Sequence, residues 1–408
     1  MPRPRLRTRR SARVVVVVVV VVSCCVANVF WFLAVKPHRT QDFTKWIDIH
    51  TSSALEGLPT RLKCANVENT FRELQQDSFA KQKVVLIHIN ATLGVSLSGL
   101  AIDDFTRNYV SHFLKHLQRL FGSKKVEQTK PLSFLVTSAA FGEQIRHPSF
   151  DNRSVGLLAS CMTRKTSKSY GIWIPRPYAP REVLNGSTSY NDWKLKSTQV
   201  FFRGALSSSS RLKLTQKLNS LDEALKKKVD IQLTHVADGA VCPHSSRWCA
   251  NLPSLWAENY NLRMGGSHVE MSMKEQTQQF RYILSVDGVG CADRLRILLG
   301  SSSVVLKQDS EYEEFWYKDI APGKHYLRVD GNFDGFDRTL LRIQKRTYRV
   351  DRAIIRKANA LVHEKLSHPT LNEAYLDSLL KKYSTRSDGC MQPDDALSIP
   401  QWLSRTKE

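Results

Sequence analysis

RYILSVDGVGCADRLRILLGSSSVVLKQ, residues Arg281–Gln308, decides how this chain is read. The opening run RYILSV (Arg281–Val286) has strand length and little polar alternation, so it predicts a strand buried on both faces. It stops at Asp287-Gly288-Val289-Gly290. Helical periodicity then resumes through Leu295, Ile297 and Leu298, and SSVVLKQ supplies a second buried-type strand. A strand that enters a helix through a glycine turn offers free backbone N–H groups and the positive end of a helix dipole, which suits a phosphate. Arg294 and Arg296 add charge where a diphosphate would lie. The same residues also fit an ordinary βαβ unit in which Arg296 is simply solvated.

A second unit of this kind lies upstream. TQVFFRGALSSSSRLKL (Thr198–Leu214) again reads as strand, glycine–serine loop and amphipathic helix. Arg203 closes the strand, and Arg211 opens the helix behind four serines. Hydroxyls and a guanidinium at a helix N-terminus are anion-binding chemistry, although a serine-rich cap beside a surface arginine would look the same. Two such units in one half of a chain favour the anion reading.

With EYEEFWYKDIAPGKHYL (Glu311–Leu327) added, these segments resemble glycosyltransferase family 90, which includes Rumi-type protein O-glucosyltransferases and fungal capsule-associated xylosyltransferases. The carrying patterns are an aromatic-Phe-Arg-Gly strand end (Phe201–Gly204), the strand and Asp-Gly turn through Arg294, and the Ser303–Tyr326 tail. The likeness is close over Gln199–Val329 and weak upstream to about Val84. It implies an α/β fold of GT-B type, two Rossmann-type domains facing a cleft. It also implies inverting, metal-independent transfer from a UDP-sugar, UDP-xylose or UDP-glucose, to a glycan or glycoprotein hydroxyl. No cofactor is implied beyond that donor substrate.

Carried over by position, Arg211 and Arg294 would hold the diphosphate, with Arg203 and Gly204 at the strand end beside them. Ser207 and Ser208 would line the donor loop, and Asp287-Gly288 would shape the turn. Val304–Lys307 would border the nucleoside, and Glu314 with Phe315 matches the family's Glu-Phe pair. Two positions depart from the pattern. Where the family carries its catalytic aspartate this chain has Ala140, so Glu143 and Asp151, the nearest downstream carboxylates, become the candidate bases. Where the family's turn has a serine this chain has Ala292, followed by Asp293, whose charge opposes a diphosphate. An active transferase with a substitute base, an inactive relative that keeps a nucleotide or glycan site, and a basic adaptor for acidic polymers all remain open.

The N-terminus predicts a membrane anchor. Six arginines precede an apolar run, Val14–Val35. At 1.5 Å per residue it spans roughly 30 Å, and the positive flank orients the remainder toward the lumen. A cleaved signal peptide is the competing reading, but the bulky VFWF end makes a poor cleavage site. The expected location is the Golgi membrane as a single-pass type II protein, favoured over the alternative, the endoplasmic reticulum, because SRTKE is no retrieval signal. In such a compartment Asn90, Asn152 and Asn185 head glycosylation triplets, and Cys242 with Cys249 form the expected disulfide. A zinc site there would need His235 or His244 at untypical spacing. Cys291 is expected to be a free packing residue. The net charge of +22 favours anionic partners. The basic residues are scattered and no nucleic-acid motif accompanies them, so nucleic acid is not expected.

The organisation expected from these readings is a cytoplasmic basic tail (1–13), a transmembrane anchor (14–35), and a stem with helical lead-in (36–83). An acceptor-side Rossmann-like domain (84–195), a nucleotide-sugar domain (196–345) and closing helices with a tail (346–408) follow. Within the acceptor-side domain, Phe105, Tyr109, Phe113, Leu117 and Leu120 mark one face of an amphipathic helix that Asp103-Asp104 caps.

Overall fold

The computed structural model describes residues 42–56, 58, 62–77, 82, 84–90, 94–99, 102–122, 132–137, 155–169, 171–176, 189–236, 271–288, 290–388 and 397–405. The apolar run Val14–Val35, the stretch with Ala140, Glu143 and Asp151, and the Cys242–Cys249 pair lie outside the described residues. Asn152 and Asn185 do too, whereas Asn90 ends a strand opposite Gly94. Among the described residues no helix is long and apolar enough to cross a membrane. The chain divides into two compact units, 1–49 and 50–408; the described residues of the first, 42–49, are helical. The second unit carries two sheets.

The first sheet is built from α1 (Cys64–Leu74), β1 (Val84–Asn90), β2 (Gly94–Ser98), α2 (Asp104–Gly122), β3 (Leu132–Thr137), β4 (Leu157–Ala159), β5 (Met162–Thr163), α3 (Arg164–Ser169) and β6 (Gly171–Trp173). Its strands run β2-β1-β3-β4-β6. The resemblance implies a parallel Rossmann-type sheet here, and the structure corrects it. β1 is antiparallel to both β2 and β3, and only β3, β4 and β6 are parallel. The reason is local: three residues join β1 to β2, enough for a hairpin and far too few for a parallel crossover. The helical lead-in is part of this core rather than a stem, since Val67, Phe71 and Leu74 of α1 pack with Val84, Leu86, Leu135 and Leu157. α2 buries Tyr109, Phe113, Leu117 and Leu120, and Asp103 Oδ1 accepts from Thr106 N at 2.7 Å as its cap.

The second sheet is wholly parallel. Its elements are α4 (Tyr190–Leu195), β7 (Ser197–Leu206), α5 (Ser209–Asn219), α6 (Glu223–Lys226), β8 (Val229–Val236), α7 (Met273–Gln279), β9 (Phe280–Ser285), α8 (Arg294–Leu299), β10 (Val304–Gln308), β11 (Tyr312–Glu313) and β12 (Leu327–Val329). The order is β12-β10-β9-β7-β8. From β7 the chain steps to β8 on one side, then returns across to β9 on the other and continues outward. β7 and β9 therefore flank the topological switch point, where a crevice opens at the carboxyl ends of the strands. Phe201, Phe202, Tyr282, Ile283 and Leu284 are almost fully buried, as central parallel strands covered on both faces require.

Two further features tie the halves together. The minor strand pair β5–β11 sets Tyr312 opposite Thr163 and Glu313 opposite Met162. Beside it a disulfide joins Cys161 to Cys291, so the expectation of a free Cys291 is wrong. The partners are 130 residues apart, a pairing that no local spacing announces. Cys64 is disulfide-bonded as well.

The closing elements are α9 (Phe336–Gln344), α10 (Tyr348–Leu361), α11 (Leu371–Ser384), β13 (Leu397–Ser398) and α12 (Ile399–Arg405). α9 and α10 bury Phe336, Leu340, Ile343, Ile354 and Ile355 against the parallel sheet. α11 returns to the first sheet, where Tyr383 packs edge-on against Phe134 and Tyr375 Oη donates to the Trp173 carbonyl. β13 adds a final strand beside β2. The first sheet thus needs residues from both ends of the chain, beyond the 84–195 boundary the sequence suggests.

Candidate active site

At the switch point the loop after β7 meets the turn after β9. Ser208 makes the joint: its Oγ accepts from Arg211 N at 3.3 Å, capping α5, and donates to the Asp287 carbonyl at 2.9 Å. Asp287 in turn closes its own turn, Oδ1 accepting from Ala292 N at 2.8 Å. Asp287 and Gly288, expected from the resemblance to shape this turn, lie in it, and Asp287 bonds to Ala292 and Ser208.

Arg211 and Arg294 converge here. Arg211 Nη1 donates to the Ala205 carbonyl at 2.7 Å, and Arg294 Nη1 to the Arg203 carbonyl at 2.5 Å. Both guanidinia lie over the Phe202 ring, at 5.6 and 5.2 Å from its centroid. A Cβ on Gly204 would sit 3.2 Å from Arg211 Nη1 and 3.3 Å from Arg294 Nη2, so glycine is what admits the pair to the strand end. A Cβ on Gly288 would lie 3.1 Å from Ser207 Oγ and 3.2 Å from Arg211 Nη2. Sequence reasoning therefore gathers Gly204, Ser207, Ser208, Arg211, Asp287, Gly288, Ala292 and Arg294 into one place.

Two buried guanidinia dominate the electrostatics here. Among the described residues neither Arg211 nor Arg294 forms an ion pair. Burial pushes Arg211 down to about 10, and the neighbouring Arg294 charge adds to the effect, while Asp287 and Asp293 oppose it. Arg294 is lowered by burial too. Asp287 is raised, mainly by burial, with Ser310 and Lys307 pulling the other way. Two like charges held out of water at one strand end store a cost that a bound anion removes. α8 is only six residues long, shorter than the sequence suggests, so the guanidinia rather than its dipole supply the field.

Arg203 and Glu314 are placed elsewhere. The Arg203 guanidinium stacks on Phe201 and pairs with Asp230 on β8 at 2.7 Å; only its backbone carbonyl serves the pair, by holding Arg294. Glu314 is buried and engaged by Arg176 Nε at 3.0 Å and Trp316 Nε1 at 2.9 Å. Arg176 also pairs with Asp293 and donates to the Cys291 carbonyl at 3.1 Å. The Asp293 carboxylate, which opposes a diphosphate on paper, is thereby neutralised. Arg176, Cys161 and Lys307 are contributors the sequence did not single out. Lys307 is lowered by burial, chiefly opposed by Asp287, and its Nζ lies 5.0 Å from the Tyr317 ring and 6.0 Å from Tyr326. Its place at the carboxyl end of β10 was legible as part of the strand; its aromatic enclosure was not.

Comparison with known proteins agrees with this picture. Protein O-glucosyltransferase 3 of Rattus norvegicus is 30% identical over 133 residues, 30% of this chain and 26% of that one. The O-glucosyltransferase rumi homolog of Anopheles gambiae is 27% identical over 138 residues, 34% of this chain and 29% of its own. The chain spans about a quarter of the length of the curated relatives it matches. Among solved structures, TarM aligns with 55% of this chain and 43% of its own at 13% identity, with a TM-score of 0.37, below the level of a shared whole-chain fold. The glycosyl transferase family 90 pattern matches residues 175–395, more than half of the chain and all of the site just described. The chain belongs to glycosyl transferase family 90.

Proposed function

We propose that this chain is a glycosyltransferase that moves a sugar, xylose or glucose, from a UDP-sugar to a hydroxyl of a glycan or glycoprotein. The observation that carries the reading is the Arg211–Arg294 pair, buried at the switch point of a doubly wound parallel sheet with no ion pair among the described residues. In transfer with inversion the acceptor oxygen attacks the anomeric carbon as its proton passes to a base, and the bond to the diphosphate breaks. The charge that develops on the leaving oxygen is what two fixed guanidinia stabilise, without a divalent cation. Gly204 and Gly288 let the diphosphate approach backbone, and Lys307 adds a third positive group at the same edge. The parallel sheet forms the donor side of a GT-B-type cleft, with the first sheet facing the acceptor. Glu143 or Asp151 provides the base. The 14–35 run anchors the chain in the Golgi membrane with its enzymatic part in the lumen, consistent with a disulfide beside the donor turn.

The test is UDP release by the full-length protein in detergent micelles, with a panel of UDP-sugars, candidate acceptors and a chelator present. Turnover on one donor, lost in Arg294→Ala and in one of Glu143→Gln or Asp151→Asn, is the expected result. UDP binding without turnover on any donor and acceptor pair would refute catalysis and leave a nucleotide-binding relative.

A further inference from the structure

A second anionic partner has a place on the opposite end of the parallel sheet. α9 and α10 turn Leu340, Ile343, Ile354 and Ile355 inward, and helical spacing then directs Arg338, Arg342, Lys345, Arg349, Arg352 and Arg356 outward, all of them exposed. Among the described residues none of these six forms an ion pair. The nearby carboxylates are engaged elsewhere, Asp337 with Lys217 and Asp351 with Arg346. An aromatic cluster of exposed Tyr190, half-buried Tyr348 and buried Trp193 borders the stripe. Tyr190, 53% exposed, meets Tyr348 with ring centroids 5.1 Å apart; Arg352 lies over Tyr348 at 5.8 Å, and Trp193 packs on its other side at 5.3 Å. Arg281 stacks on Trp193 at 4.0 Å and donates to its carbonyl.

We infer that this surface binds an acidic polysaccharide, a chain of sugar rings bearing sulfate or carboxylate groups. The guanidinia of Arg349, Arg352 and Arg356 along roughly 10 Å of α10, continued by those of α9, match a linear polyanion. The aromatic faces beside them match the apolar faces of pyranose rings. A lipid surface fits less well, because α9 and α10 bury most of their apolar residues against the sheet and, among the large apolar side chains, expose only Leu341 and Val350, two isolated groups rather than an apolar face to insert into a bilayer. The site is remote from the arginine pair. α4 leads into the start of β7, whereas the two guanidinia bond the Arg203 and Ala205 carbonyls near its other end, roughly 20–25 Å along the strand. It is therefore a docking surface that holds a polymer and not the place where a bond is made, and it stands whether or not the donor reading does.

The experiment is surface plasmon resonance of the full-length protein in detergent micelles over immobilised heparin, with dextran and phosphatidylserine vesicles as comparison surfaces. Heparin is expected to capture the protein, with affinity falling about tenfold from low to physiological salt. Charge reversal at Arg349, Arg352 and Arg356 together (each →Glu) is expected to lose about a hundredfold, and Arg352→Ala alone about fivefold. Tyr190→Ala should lose about threefold without changing the salt dependence. A melting curve unchanged from wild type, read by circular dichroism, shows that each variant is folded. The inference is overturned by no capture on heparin, by capture that both arginine variants leave unchanged, by equal capture on dextran, or by tighter capture on the vesicles.

Discussion

Phe202 is the residue on which the site turns. Its ring is buried in the sheet core yet carries two guanidinia on its edge of the crevice. The Phe-Phe-Arg-Gly string was legible as a strand end, but the division of labour within it was not. Arg203 looks like the phosphate ligand in one dimension; strand alternation puts it on the other face, against Asp230. Gly288→Ala tests how tightly the pair is held, because its Cβ forces Ser207 Oγ or the Arg211 guanidinium to shift by a few tenths of an ångström. UDP affinity should fall about tenfold with little change in melting temperature, read by calorimetry; unchanged affinity would show that Arg211 is not fixed for the anion. Lys196 makes a pH prediction. Buried, and hydrogen-bonded to the Ser302 carbonyl and hydroxyl and to the Thr277 carbonyl, it is pushed down to about 8 by desolvation, with Asp192 opposing. A lysine lowered in the folded state disfavours folding fully below pH 8, and the cost fades as pH rises toward the ordinary 10.5. Relative to Lys196→Met, the wild type should gain stability across that window, by about 3 kcal/mol at most, in urea titrations at successive pH values.

Elements were easier to read than their pairings. β7, β9 and β10 lie within a few residues of the apolar runs that predict them, and α2 buries Tyr109, Phe113, Leu117 and Leu120 of the face read for it. What failed to show were the antiparallel hairpin of β2, the Cys161–Cys291 bridge, and the ion pairs of Arg176. The bridge and the Arg176 pairs join segments more than a hundred residues apart, where sequence spacing carries no geometry, whereas the hairpin is local and was obscured by the expectation of a Rossmann-type domain. Arg176 is the sharpest case. It sits three residues beyond β6 and holds Asp293, Glu314 and the Cys291 carbonyl, so the first sheet steadies the turn from which Arg294 starts. Arg176→Leu should lower UDP affinity about tenfold, because Asp293 is then an unpaired carboxylate facing the same anion. Adding Asp293→Asn should restore most of the loss; if the double variant binds as poorly as the single one, charge is not the reason and the clasp is purely structural.

At the scale of the whole molecule the two sheets are distinct in kind, one mixed and one parallel, yet the C-terminal helices serve both. α9 and α10 stay with the parallel sheet, and α11 crosses to the other, where Tyr375, Leu379 and Tyr383 are buried. Tyr383→Ala removes a ring that packs on Phe134 and leaves a cavity, for which about 3–5 kcal/mol is expected. Its signature should be proteolysis within residues 84–176 before the parallel sheet is cut; simultaneous loss of both would mean that the molecule unfolds as one cooperative block. The return of α11 and β13 also has a consequence in time. A ribosome adding roughly 5–20 residues per second delivers β1, β2 and β3 early and β13 only near residue 397. The edge of β2 that β13 finally covers stands open for the whole interval, and a nascent chain with an uncapped strand is exposed to edge-to-edge pairing until β13 arrives.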